Sequence, residues 1–367
     1  MNSSLHEDPR IRPVNLMEND PLYSANSYPL YFERLLQTLK VPVWIAAPAL
    51  GGFMGGAFAV SDIFAEVPIV QHLVAVLPVL VSIVLAPIMM TVVRDKALAA
   101  YRDLLPVLDQ TEHGKVPTLL GKTFDQRRSL ELALIVGTAG VVHHVVLSYA
   151  SWGRIWWFSI VDIVLVGFVW WFVVASFFCT CASVAGYSFY ASRSLRFTPR
   201  LFSHRRMCGL ESFGNLSVVP SVAWGTVATF GTLSTFDPAI AKQFPFLIML
   251  YLSLDFVIVA TSMTAVFFLP VLGYRAVVLP LKRVWSKRID QLMSQMGRID
   301  PDNAAAVDDK VALGILFLWV LSSQVRQIKQ WPLSLGAGVR FVLSYVIPGS
   351  AFVGRLILFA LRVPIPF

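Results

Sequence analysis

The residues of this sequence best placed to do chemistry are ionisable side chains inside apolar runs. Asp162, Asp255 and Arg340 fall there, where a charge costs roughly 2.5–3.5 kcal/mol to insert even on the lenient scale. Asp255 lies about ten residues into the run 245–271, and Arg340 about one and a half turns into the run 333–360. An Asp255–Arg340 pair is one reading; a structural ion pair, a snorkelling arginine and a role in ion or proton passage all stay open. His143-His144 is the one tempting metal dyad, but adjacent helical residues point about 100° apart and zinc wants three or four convergent ligands. No metal or other cofactor is expected. Cys179, Cys181 and Cys208 show neither pairing nor ligand spacing and read as small buried or lipid-facing residues. There is no Walker loop, HExxH, GxSxG or CxxC, so no catalytic residue is assigned and an enzyme is not expected.

The elements that must position these groups are apolar helices. Of 367 residues 56% are hydrophobic and 14% charged, and the mean hydropathy is +0.66; soluble domains are about 25% charged. Runs of the length a helix needs to cross about 30 Å of hydrocarbon recur along the chain. They are continuous, which selects helices over the alternating strands of a barrel. The expected fold is an all-α integral membrane protein, a seven-transmembrane helix bundle with spans at 41–60, 73–93, 130–150, 155–186, 215–236, 245–271 and 333–360. The fifth, rich in Ser, Thr and Gly, could instead be a re-entrant or buried segment. Its small residues suit close helix packing or the lining of a pore.

Lys and Arg set the orientation, because cytoplasmic loops retain positive charge. Of the 30, the arm 1–40 holds 4, the segment 94–128 holds 7, 187–214 holds 5 and 272–332 holds 9. The N-terminus is therefore expected inside and the C-terminus outside. The polar arm lacks the build of a secretory signal. Trp152, Trp156 and Trp157 mark an outer interface, and Trp331 an inner one. The +8 net charge reflects these loops rather than nucleic-acid binding.

The division of the chain that follows is a polar cytoplasmic arm 1–40, a six-span bundle 41–271 with cytoplasmic helices at 94–128 and 187–214, a cytoplasmic helical hairpin 272–332, and a last span with a short tail, 333–367. Helical spacing of Ala97, Leu98, Tyr101, Leu104, Leu105 and Leu108 continues the second span as a helix. A similar stripe from Val278 to Met296 continues the sixth, ending near Gly297. A helix from about Ala304 to Gln330 carries the apolar run Val311–Leu321. That run is short for a span; if it crosses, the count becomes eight and the C-terminus moves inside. In the last span, Gly336, Gly338, Pro348, Gly349 and Gly354 predict a bent or broken helix, and Ser344, Tyr345 and Ser350 supply hydroxyls. Broken, hydroxylated helices often line a solute pathway.

Near the end the chain reads Ser344-Tyr345-Val346-Ile347-Pro348-Gly349-Ser350-Ala351-Phe352. With the expected topology, this resembles the insect odorant and gustatory receptor superfamily, seven-span ligand-gated cation channels carrying a late T-Y-x5-Q-F motif. Tyr345 and Phe352 match, Ser344 replaces Thr, and Ala351 stands at the Gln position. The resemblance implies a homotetramer in the plasma membrane, with lipid around it and a cation pore lined near Ser344, Tyr345, Pro348 and Phe352. It also implies a small-molecule ligand in the outer half of the bundle, where depth and chemistry nominate His143, Trp156, Trp224 and Tyr251. A secondary transporter using Asp162, Asp255 and Arg340 is the alternative, although no internal repeat supports it.

Overall fold

The computed structural model describes residues 28–65, 69–152, 160–161, 163–198, 207–232, 245–296, 309–332 and 335–362, with side chains for most of them. The chain is all-helical, and no strand occurs among the described residues. The helices are α1 (Tyr31–Leu39), α2 (Val43–Ala65), α3 (Ile69–Leu104), α4 (Lys115–Thr123) and α5 (Gln126–Trp152). A π-helical segment (Ile163–Trp170) leads into α6 (Trp171–Ser194), followed by α7 (Ser212–Thr232), α8 (Pro245–Met296), α9 (Asp309–Gln327) and α10 (Leu335–Arg362). Five segments are long and apolar enough to cross a membrane, at Val43–Ser61, Val76–Val107, Lys115–Val146, Ile163–Ser194 and Phe256–Gln295. This fits a membrane protein.

Paired contacts fix the helix directions. Gly51 faces Val84 and Gly55 faces Leu80, so α2 and α3 are antiparallel. The Trp170 indole N–H donates to the Ser82 hydroxyl (2.7 Å) and Tyr101 meets Ser188 (3.4 Å), so α3 and α6 run together. On α7, the Ser217 hydroxyl donates to the Phe267 carbonyl (2.8 Å) and the Trp224 indole to the Ser262 hydroxyl (2.8 Å), an antiparallel match to α8. Phe267 stacks on Phe341 and Phe256 on Phe352, which makes α10 antiparallel to α8.

The segment with the weakest hydropathy of the expected spans sits at the centre. Helix α7 packs against α3, α6, α8 and α10. Ser217 and Ser221 are fully buried. The hydroxyls of Ser221, Thr226 and Thr229 donate to carbonyls one turn back on α7 itself (2.9, 2.9 and 2.6 Å). Small residues with internally satisfied hydroxyls let four neighbours approach, and a helix that meets protein rather than lipid needs little hydropathy.

Helix α8 has 52 residues, about 78 Å at about 1.5 Å per residue, more than twice the hydrocarbon thickness. The second expected span likewise continues to Leu104, followed by the 3-10 turns Leu105–Val107 and Gln110–Glu112. Within the expected helical segment 187–214, α6 continues to Ser194, residues 195–198 run extended beside Leu108, and a turn at 207–211 starts α7; residues 199–206 lie outside the described residues. The Thr198 N–H donates to the Val107 carbonyl (2.7 Å) and Asp109 N–H to that of Arg196 (3.0 Å), so pairing with the end of α3 takes this stretch out of helix. The turn needs Gly209, whose φ is +81°, and whose Cβ, if it had one, would lie 2.6 Å from Val107.

Beside Gly209, Cys208 is buried. Burial, with Glu211 adding and Lys282 opposing, pushes its thiol up to about 11. Because the thiolate is the reactive form, disulfide-reagent labelling of a Cys179→Ser variant should stay slow through about pH 9 and climb toward pH 11. A rate already level at pH 8.5 would identify an ordinary exposed thiol instead.

Candidate functional site: the last helix and its seat

The approach to α10 is built at the level of Tyr274. Tyr274 donates its hydroxyl to the Lys329 carbonyl (2.7 Å), and the Lys282 ammonium donates to the carbonyls of Arg326 (2.9 Å) and Ile328 (3.3 Å). A cation there satisfies the free carbonyls at the C-terminal end of α9. The Arg275 guanidinium lies 4.5 Å over the Trp331 ring. Gly214 admits Pro332, whose carbonyl oxygen would be 2.3 Å from a Cβ at 214. Helix α10 thus starts from a fixed point against α7 and α8.

From there α10 holds the bundle by one face. Phe341 stacks on Phe267 (centroids 3.5 Å apart) and meets Tyr345 edge-on (4.9 Å). The Tyr345 hydroxyl is hydrogen-bonded with Thr264 and donates to the Ala260 carbonyl (3.2 Å). Phe352 stacks on Phe256 at 4.5 Å. Two of the four expected pore residues, Tyr345 and Phe352, therefore lie in the seam between α10 and α8. The helix is also continuous from Leu335 to Arg362 rather than broken at Pro348, since neighbouring helices support a proline within a span. Away from the seam, Val339, Arg340, Val342, Leu343, Val346, Val353 and Ile357 are exposed.

Helix α9 pairs with the part of α8 beyond Tyr274 and is apolar on its outer side as well. Leu313, Leu316, Phe317, Trp319 and Val320 are exposed, Phe317 by 61% and Trp319 by 63%. Residues 304–308 of the expected helix lie outside the described residues.

The remaining nominated residues do not converge. Trp156 and Asp162 lie outside the described residues; Tyr251 and Asp255 take positions on α8, and Ser344 and Pro348 on α10, with side chains outside the described part. Trp224 is 7% exposed, tilted against Phe177 and Phe178 of α6, with its N–H given to Ser262. His143 packs on another seam of α6, its ring 5.4 Å from His144 and 6.2 Å from Trp171. The Asp255–Arg340 pairing fails on register. Phe256, next to Asp255, is level with Phe352, whereas Arg340 is level with Phe267, about 18 Å away along α10. Hydropathy placed both residues at membrane depth but carried no information on helix register. Among the described residues no group of three or more His, Cys, Asp or Glu could hold a metal.

One polar centre escaped sequence reasoning. Arg94 is 4% exposed. It is paired with Glu33 and with Asp95 (2.9 Å), and it reaches the Tyr28 carbonyl (3.5 Å). Glu33 also accepts the Leu30 N–H (2.8 Å), which caps the start of α1. In the sequence Arg94 looks like any basic residue at the inner end of a span.

No family model matches the chain, and no curated protein or solved structure matches it either.

Proposed function

We propose that the chain is one subunit of a homo-oligomeric, ligand-gated ion channel in which α10 of each copy walls a shared pathway and α9 helps join the copies. The observation that carries this reading is the attachment of the last two helices. Helix α10 is held by one face, and α9 leaves five large apolar side chains uncovered beside it.

In this reading seven helices cross the membrane, α2, α3, α5, α6, α7, α8 and α10. Their alternating directions and the basic segments support an inside N-terminus. Residues 245–271 of α8 already cover about 40 Å, so α9, paired with α8 beyond Tyr274, stands outside the hydrocarbon. Lipid can cover the apolar flank of α10 but not that of α9, and exposed apolar surface of this kind outside the membrane marks an interface. The tetramer, the plasma membrane and a ligand near His143 in the outer half come from the resemblance to the insect receptors. Tyr345, in this reading, couples α10 to α8 rather than lining the pore. The transporter alternative loses its paired charges, since Asp255 and Arg340 are out of register.

Single-particle imaging of the purified chain tests the proposal. A four-fold ring, four times 40.7 kDa, with residues 335–362 nearest the axis is expected. Phe317→Asp, which places a charge on the uncovered face of α9, should convert most of the oligomer to monomer by mass photometry while leaving the helical circular dichroism unchanged. A wild-type monomer without an axial pathway would refute the reading.

A further inference from the structure

The basic residues of the chain are not neutralised evenly. The described ion pairs of Arg94, Lys115, Arg127 and Arg128 all join residues between Glu33 and Glu131. Arg275, Lys282, Arg326 and Lys329 gather instead where α8, the end of α9 and the approach to α10 meet. Among the described residues no carboxylate pairs with any of them. The sequence accounts for this, because from Phe256 to Ile289 and from Lys310 to Phe367 it has no Asp or Glu. Glu211, in the turn before α7, is the acidic group felt by Cys208 and Tyr274 nearby, and it does not balance the four cations.

Contacts hold these cations in one place. Lys282 reaches the carbonyls of Arg326 (2.9 Å) and Ile328 (3.3 Å), Tyr274 reaches that of Lys329 (2.7 Å), and Arg275 lies 4.5 Å over the Trp331 ring. The Arg326 and Lys329 side chains are exposed. A guanidinium stacked by its face keeps its in-plane N–H donors for an anion, and the Lys282 ammonium has a third donor to give.

Depth and shape point to a lipid as the source of that anion. Residues 245–271 of α8 cover about 40 Å, which is about the hydrocarbon core with its headgroup layers. Arg275, about 6 Å further on, therefore stands at the headgroup level, with the interfacial ring of Trp331 beside it. The basic segments make this the inner leaflet, which carries the anionic lipids. On the bilayer side of Arg275, Phe268 and Leu272 are exposed and fall within about 60° of it around α8. The faces of α8 turned to its neighbours are different ones: Gly273 meets Ser192 of α6, and Phe267 and Val271 pack with Val218 of α7. An apolar strip thus runs down α8 to a cationic seat, the outline of an acyl chain and its headgroup.

We infer that this junction binds an anionic phospholipid of the inner leaflet. Its acyl chain lies along Phe268 and Leu272, its phosphate meets Arg275 and Lys329, and Arg326 and Lys282 extend the positive seat toward the cytoplasm. Basic pockets between helices on the cytoplasmic side hold anionic headgroups in this way. The bound lipid ties the end of α9 to the start of α10. The inference needs α8 to leave the bilayer near Val271 and does not depend on a pore, so binding is expected whether the particle is a monomer or a ring.

The full-length chain in detergent, titrated with dioctanoyl lipids and read by native mass spectrometry, should take up a first phosphatidylserine at least tenfold more tightly than phosphatidylcholine. Arg326→Gln combined with Lys329→Gln keeps the backbone carbonyls that Lys282 and Tyr274 use. It should weaken phosphatidylserine binding at least fivefold without changing the size-exclusion profile. Arg127→Gln combined with Arg128→Gln, at arginines that already face Glu131 and Asp125, should leave binding as it is. Equal affinity for the two lipids, or an equal loss in both double variants, would overturn the site. Glycerophosphoserine, the same headgroup without acyl chains, should fail to displace the lipid at equal concentration. Full displacement would identify a seat for soluble phosphate and overturn the lipid as its occupant.

Discussion

Gly140→Val should cost the protein most or all of its folded fraction in detergent. Helix α5 meets the π-helical segment at Gly140 and Gly167, so closely that a Cβ at 140 would lie 2.1 Å from the Gly167 carbonyl oxygen and 2.4 Å from the Trp171 ring. Overpacking usually costs about 1–3 kcal/mol because side chains give way. Here the nearest obstacle is backbone, so the loss should sit at or above the top of that range. Gly137→Ala, which meets the Phe168 ring edge at 3.1 Å and the Phe172 Cβ at 3.3 Å, side chains rather than backbone, should be milder. The control is Gly52→Ala. Its Cβ would meet nothing within 4 Å, and better helix propensity should hold or raise stability by up to about 1 kcal/mol. Thermal melts by size-exclusion recovery rank the three. Gly140→Val melting alongside Gly52→Ala would mean that α5 and α6 do not approach as described.

The second large effect is expected at Arg94. Removing one partner of a buried ion pair leaves the other charge uncompensated, typically at a cost of about 3–5 kcal/mol, whereas replacing both with apolar groups is often neutral. Arg94→Met and Glu33→Leu should therefore each destabilise strongly. Glu33→Leu also removes the acceptor of the Leu30 N–H. The double variant should recover much of the loss, because the coupling between contacting residues is then removed from both sides. Limited proteolysis adds a local readout. Leu30 is buried in the main hydrophobic core and Tyr31 packs edge-on to Phe172, so freeing α1 should expose the chain between Tyr28 and Lys40 to trypsin at Arg34. Unchanged cleavage in Arg94→Met, together with additive single-variant losses, would show that the pair does not hold α1 in place.

The sequence resolved much of the secondary structure for a plain reason. Where one helix face or a whole helix is apolar, spacing and length report the element directly, which is why α8 is legible to within a residue of its end at Met296 and α3 to within about five residues at each end. Periodicity is silent on turns closed by distant partners, as at 195–198, where Val107 and Arg196 decide the backbone. It is equally silent on the π-helical stretch at Ile163–Trp170, whose residues are uniformly apolar. At the candidate site, composition marked the arginines and hydroxyls of α10 but could not say which face each would take.

By itself, then, the sequence determined a helical membrane protein: its apolar lengths match the bilayer, and its basic segments alternate between connections. It also placed three arginines and no acid on the last helix. Only the tertiary structure decided that Tyr345 and Phe352 belong to a seam, that Asp255 and Arg340 stand far apart, and that the polar-looking α7 is the centre of the bundle. Each of those outcomes depends on the register between helices. Register is set by knob-sized features such as Gly214 under Pro332 or Phe267 on Phe341, which couple residues far apart in the chain and leave no periodic trace along it.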